Sequence, residues 1–150
     1  MRSAALAVLI GLAAASLGEA KTHSTFRIHA EANASNGPVF STQLKFLNRT
    51  VTIEKVPTLS ENDLTGFQSY RAADGTHGAL FQLNEHGRLA LDSLSVERRG
   101  GFLFVFINGR PITELQIDRR VSDGKIYIAS GLTANDIALL VKDWPPKPRK

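Results

Sequence analysis

Four histidines, His23, His29, His77 and His86, are where acid–base or metal chemistry would have to begin, because the chain contains no cysteine. A thiolate zinc site, a cysteine nucleophile and a disulfide framework are thereby excluded. General acid–base work or metal ligation needs a histidine converging with carboxylates, and the nearest offering is His29 with Glu31, two residues apart on one face of a strand. His86 falls in the first turn of a helix and reads as solvated. The carboxylates Glu54, Glu61, Asp63, Asp92, Glu97, Glu114, Asp118 and Asp136 show no close pairing of the kind glycoside hydrolysis uses. Asp63 and Asp136 have helix-start explanations instead. The chain carries no His-Glu-x-x-His, Gly-x-Ser-x-Gly or phosphate-cradling glycine loop. The expectation is therefore no catalytic residue, no cofactor and no metal, with one alternative: a small hydrolase whose site assembles only in three dimensions.

Aromatic residues raise a second possibility. Phe102, Phe104 and Phe106 alternate along one segment, as rings that stack on bases would. The intervening Leu103, Val105 and Ile107 make the other face apolar too, so the segment reads as a buried central strand and a nucleic-acid partner is not expected. Net charge is +4, and Lys142, Lys147, Arg149 and Lys150 gather near the end against Asp143 alone, in a segment broken by Pro145, Pro146 and Pro148. Residues 145–150 read as a solvated, extended basic tail, able at most to give weak attachment to an acidic surface. Asn33-Ala-Ser and Asn48-Arg-Thr fit the glycosylation sequon, and no function is attached to them.

The elements that must position these residues begin after an export signal. Arg2, an apolar run from Ala4 to Leu17, and the small residues Gly18 and Ala20 are the three parts of a cleavable leader, so residues 1–20 are expected to be removed. The run is shorter than the roughly 20 residues a membrane span requires. The protein is thus expected outside the cytoplasm, periplasmic or secreted. Hydrophobic residues at 43% and charged residues at 21% suit one packed domain over residues 21–144. Stability there must come from packing, since disulfides are absent from a chain whose compartment would permit them.

Alternation places a half-buried strand from Thr25 to Ala32, with Phe26, Ile28 and Ala30 on one face. Turn residues from Asn33 to Pro38 lead to a strand region at Val39 to Leu47. Asn48 and Arg49 form a break before the β-branched run Thr50 to Val56. Ser60 to Asp63 gives a single turn into a strand through Tyr70, and Asp74-Gly75 turns into a strand from Gly78 to Leu83. Asn84 caps a helix over about 85–99 with a stripe of Gly87, Ala90, Leu91 and Leu94, stopped by Gly100-Gly101. The strand Phe102 to Ile107 returns through the hairpin signal Asn108-Gly109 to a strand over Ile112 to Val121, and Asp123-Gly124 turns into Lys125 to Ala129. Gly131-Leu132-Thr133 opens a second helix over about 134–144, where Thr133 and Asp136 have capping-box spacing and Ile137, Leu140, Val141 and Trp144 form the stripe. The sum is an α+β fold, a mostly antiparallel sheet covered on one side by two amphipathic helices.

From Leu80 to Trp144 the succession of landmarks resembles a known family. A Leu-Phe-Gln-Leu strand precedes an Asn-Glu-His-Gly-Arg helix start; a hydrophobic strand then ends in Asn108-Gly109-Arg110-Pro111-Ile112, and Gly131-Leu132-Thr133 precedes the last helix. This is similar to the head subdomain of the SecD/SecDF preprotein translocase subunit, with Asn-Gly here for that family's Asp-Gly and Gly-Leu-Thr for its Gly-x-Phe-Thr. The resemblance implies the fold and a habit of contacting polypeptide outside the cytoplasm. That head is a binding and lever module, so no catalytic residue carries over. Three functions follow as expectations: an exported, non-enzymatic domain that engages another protein by an exposed sheet edge; the hydrolase named above; and a surface module tethered by the basic tail.

Overall fold

The computed structural model describes residues 23–146. Nine strands and two helices follow one another along that stretch: β1 (Phe26–Ala30), β2 (Ser41–Phe46), β3 (Arg49–Glu54), β4 (Leu59–Ser60), β5 (Leu64–Arg71), β6 (His77–Leu83), α1 (Glu85–Glu97), β7 (Phe102–Ile107), β8 (Arg110–Gln116), β9 (Lys125–Leu132) and α2 (Ala134–Asp143). The expected leader at residues 1–20, and the tail residues 147–150, lie outside the described residues.

Every strand pairing is antiparallel, and the α+β class stands. The expected single sheet is instead divided into three: β4-β1-β7-β8, β5-β6-β9, and the hairpin β2-β3. Alternation explains the division. In β1, Phe26, Ile28 and Ala30 enter one core with Leu103, Val105 and Ile107 of β7 and with Ala79, Phe81, Ile126 and Ile128 of the second sheet. Both helices add leucines to this core, Leu91 and Leu94 from α1 and Leu140 from α2, which places them on the same side of the β7 sheet.

The opposite face of β7 carries the three phenylalanines, and the β2-β3 hairpin covers it. Phe104 is only 1% exposed, packed with Phe46, Val51 and Ile53, and the Phe46 and Phe104 rings meet edge to face at 5.1 Å. A strand apolar on both faces thus lies in the middle of its sheet, as its sequence requires.

Several boundaries differ from expectation for local reasons. Helix α1 ends at Glu97, where Arg98 caps it and Gly100 takes positive φ, so it falls short of residue 99. Helix α2 stops at Asp143 with Trp144 as its cap. Its stripe is narrower than the spacing suggests: Leu140 is buried and Ile137 and Trp144 are half-buried, but Val141 faces solvent. Gly131 and Leu132 belong to β9 and only Thr133 starts the helix. The turn of the first hairpin falls on Leu47-Asn48 rather than Asn48-Arg49, because Phe46 pairs with Arg49. Leu47 consequently takes the left-handed region at φ 53°. Finally, β8 ends at Gln116, so residues 117–121 are not strand.

Candidate polypeptide-binding cleft

The histidines do not converge. His29 and Glu31 sit on the face that the hairpin covers, and each has its own partner: His29 Nδ1 lies 2.7 Å from the Glu54 carbonyl oxygen, while Glu31 Oε2 accepts from the Phe102 N–H at 3.1 Å. The His29 ring packs edge-on against Phe106 at 5.5 Å. His29 is therefore half-buried beneath the hairpin, while Arg27 and Glu31 on the same face stay exposed. His23 meets Asp143 at 3.2 Å, and Asp143 also accepts from the Ser24 N–H at 2.7 Å. These bonds, the Ser24 N–H foremost, hold the Asp143 carboxyl below its usual range. Asp143 thus ties the end of α2 to the start of β1 instead of belonging to a free tail.

His86 does have a carboxylate, which sequence reading missed. Its Nδ1 lies 2.8 Å from Asp63 Oδ1, with the imidazole 82% exposed and the carboxylate nearly buried. The other Asp63 oxygen accepts from the Ser60 N–H at 2.9 Å in a capping box. This is a helix-start carboxylate with an imidazole resting on its outer edge, and the Ser60 hydroxyl is committed to the Asn62 N–H in the same box.

Asp136 is the most buried carboxylate, its side chain 3% exposed. It caps α2 through the Thr133 N–H at 2.9 Å and the Thr133 hydroxyl at 3.0 Å, accepts from Asn108 Nδ2 at 3.0 Å, and pairs with Arg110. Burial alone would raise its pKa, but these donors together outweigh it and hold the carboxyl below its usual range. Every donor is accounted for, so this carboxylate pins the Asn108-Gly109 turn to α2 and is not poised to take a proton. Among the described residues no three His, Asp or Glu side chains gather where a metal ion could be held.

The arrangement with capacity for binding lies between β8 and β9. These strands follow one another in the chain and approach at one end: a Cβ on Gly131 would stand 3.5 Å from the Ile112 carbonyl oxygen. At the other end residues 115–117, residues 125–127 and the connecting loop 118–123 together line a cleft of about 570 Å³. Leu80, Leu91, Leu103 and Ile126 contribute to its floor. Helix α1 keeps the cleft open by pulling the connecting loop onto itself. Asp92 takes two bonds from Arg120, at 2.6 and 2.9 Å, Ser95 Oγ accepts from the Val121 N–H at 2.9 Å, and Arg88 reaches the Ser122 carbonyl oxygen at 3.3 Å. The Asp92 carboxyl is held below its usual range chiefly by the Arg120 hydrogen bond, and the guanidinium is raised in return.

Two strand edges are left without a ladder as a result, since β8 ends one sheet and β9 the other. Antiparallel bonding alternates. Ile117 exchanges bonds with Gly100 and Gly101 on the β7 side, so the peptide of Gln116 faces away from β7. By the same count from the Leu83 to Gly124 bond, the peptide of Tyr127 faces away from β6. The sequence signal for this cleft is weak. The sequence reading carries one strand from Ile112 through to Val121, and nothing in that segment says that Asp92 and Ser95 will capture Arg120 and Val121.

No protein-family model matches the chain, and no curated protein matches it in sequence. Solved structures do. One is described as SecDF in super-membrane-facing form, with a TM-score of 0.56 and 14% identity, covering 81% of this chain and 19% of that one. Another is described as the membrane component SecDF that enhances protein export, with a TM-score of 0.57 and 15% identity, covering 87% of this chain and 70% of that one. The chain therefore has a SecD-like fold, and it spans only a fifth of the length of the first of these structures. The likeness extends well beyond the Leu80 to Trp144 stretch whose landmarks carry the resemblance in sequence.

Proposed function

We propose that this protein is a non-enzymatic polypeptide-binding module that works outside the cytoplasm and accepts an extended segment of another protein as an added strand between β8 and β9. The observation that carries this reading is the pair of unpaired strand edges above an apolar floor. An extended chain satisfies those peptide groups whatever its sequence, while its alternate side chains drop onto the leucines beneath. The SecD-like fold supports the reading, because one of the similar structures is described as enhancing protein export. The leader-like residues 1–20 support the location, and no helix among the described residues is long and apolar enough to cross a membrane.

The test is hydrogen exchange of the chain with and without a chemically unfolded, non-refolding polypeptide. Slowed exchange at the Gln116 and Tyr127 amides is the expected result. Gln116→Pro removes a donor that faces away from β7, leaves the β7-β8 ladder intact, and should abolish the protection at the Tyr127 amide. Unchanged exchange at both amides, or equal binding by Gln116→Pro, would overturn the proposal.

A further inference from the structure

A second groove, on the far side of the molecule from that cleft's floor, has a different chemistry. It lies beneath the β2-β3 hairpin, over the face of β1 and β7, with a volume of about 440 Å³. Leu44, Ile53 and Phe106 give it an apolar floor, and the charged side chains along it are all basic: Arg27 and Lys55, with His29 between them. No carboxylate lines it. Of the nearby acids, Glu54 pairs with Arg98 at 2.6 Å, while Glu61 stands at the rim 3.7 Å from Arg27 and leaves that side chain 53% exposed. Lys55 has no ion-pair partner among the described residues.

The strand above the groove is an open edge. β2 pairs only with β3. Lys55 donates to the Phe40 carbonyl oxygen, and alternation from that bond turns the peptides of Gln43 and Lys45 outward. The inward row of β2 side chains continues past the strand's end to Phe40, which is 70% exposed, and Val39 and Val56 at the same end of the hairpin are 72% and 77% exposed. Exposed aromatic and aliphatic side chains gathered at one hairpin end are uncommon on a surface that has no partner.

We infer that this groove is a binding site for an acidic, apolar polypeptide segment in extended conformation, which pairs with the outer edge of β2. Its carboxylates meet Arg27 and Lys55, and its apolar side chains cover Leu44, Phe106 and Phe40. The charge of the groove sets the sign of the ligand, and the free edge sets its conformation.

Fluorescence anisotropy of the chain with a short labelled peptide alternating glutamate with leucine tests this. The control is the same peptide with lysine for glutamate. The acidic peptide should bind and the basic one should not. Arg27→Glu with Lys55→Glu should weaken binding of the acidic peptide by about tenfold or more, and Gln43→Pro, which removes an outward-facing donor, should weaken it by about fivefold. All three side chains are at the surface, so circular dichroism of each variant should match the parent. Equal affinity for both peptides, or a charge-reversed variant that binds the acidic peptide as the parent does, would overturn the inference. Gln116→Pro in the β8-β9 cleft should leave this binding unchanged, which separates the two sites. If Gln116→Pro alone abolished it, the groove would not be the site.

Discussion

Asp136→Ala offers the most direct test of how the fold is fastened. The carboxylate closes the capping box of α2, and losing a cap of this kind costs about 1 kcal/mol. The substitution also strips the half-buried Asn108 amide of its acceptor at 3.0 Å, which adds about 2 kcal/mol for a charge-assisted bond. Arg110 adds little, because its side chain is 47% exposed and water can replace the carboxylate. The expected loss near neutral pH is therefore about 3 kcal/mol, measured as the shift in urea midpoint at constant slope. The pH dependence supplies an independent check. A carboxyl held below its usual range stabilises the fold at pH values above its unfolded pKa, near 3.9, and that contribution disappears as pH falls through the folded value. The gap between parent and variant should accordingly be widest above about pH 5 and should close as acid protonates Asp136. A loss below about 1 kcal/mol, or a gap independent of pH between about 2 and 6, would refute the assignment of Asp136 as the pin between the Asn108 turn and α2.

Gly78→Ala should be costly, because a Cβ there would overlap the Tyr70 hydroxyl and stand 2.5 Å from the Ala129 carbonyl oxygen. The expected destabilisation is about 2–3 kcal/mol in thermal or urea unfolding. In the parent, Tyr70 is pushed up to about 12, chiefly by burial and then by the neighbouring Tyr127. Its contribution is fully present below the unfolded value near 10 and is lost as pH rises toward 12. Alkaline absorbance titration of Gly78→Ala should show that tyrosine returning toward the ordinary value. Phe104→Ala should cost about 3–5 kcal/mol, and amide exchange should accelerate first in β2 and β3, whose cover depends on that ring. Leu47→Gly relieves a left-handed backbone at φ 53° on an exposed turn, so it should raise stability by up to about 1 kcal/mol.

Legibility in the sequence followed the range of the interaction. Phe102 to Ile107 is apolar on both faces and is the centre of its sheet, and the Asn84 and Thr133 caps are where their side chains place them, because each of these is decided within a few residues. The division into three sheets was not legible. It depends on where Phe46, Val51 and Ile53 pack, and alternation says that a face is buried without saying what buries it. The same limit made Arg27, His29 and Glu31 look like an open polar face, when Arg27 and His29 line a groove under the hairpin. The Asp63 to His86 contact and the capture of Arg120 by Asp92 join residues distant in the chain through side chains that are ordinary in composition. The cleft between β8 and β9 rests on the second of these contacts.

Strand β7 belongs to two interiors at once, with Leu103, Val105 and Ile107 in one and Phe104 in the other. The hairpin is consequently no decoration that could be trimmed away. A shortened version lacking residues 41–54 would turn a row of aromatic rings to water and invite self-association, so insertions and fusions are better tolerated at the Asp74-Gly75 turn, where a Cβ on Gly75 would meet open space.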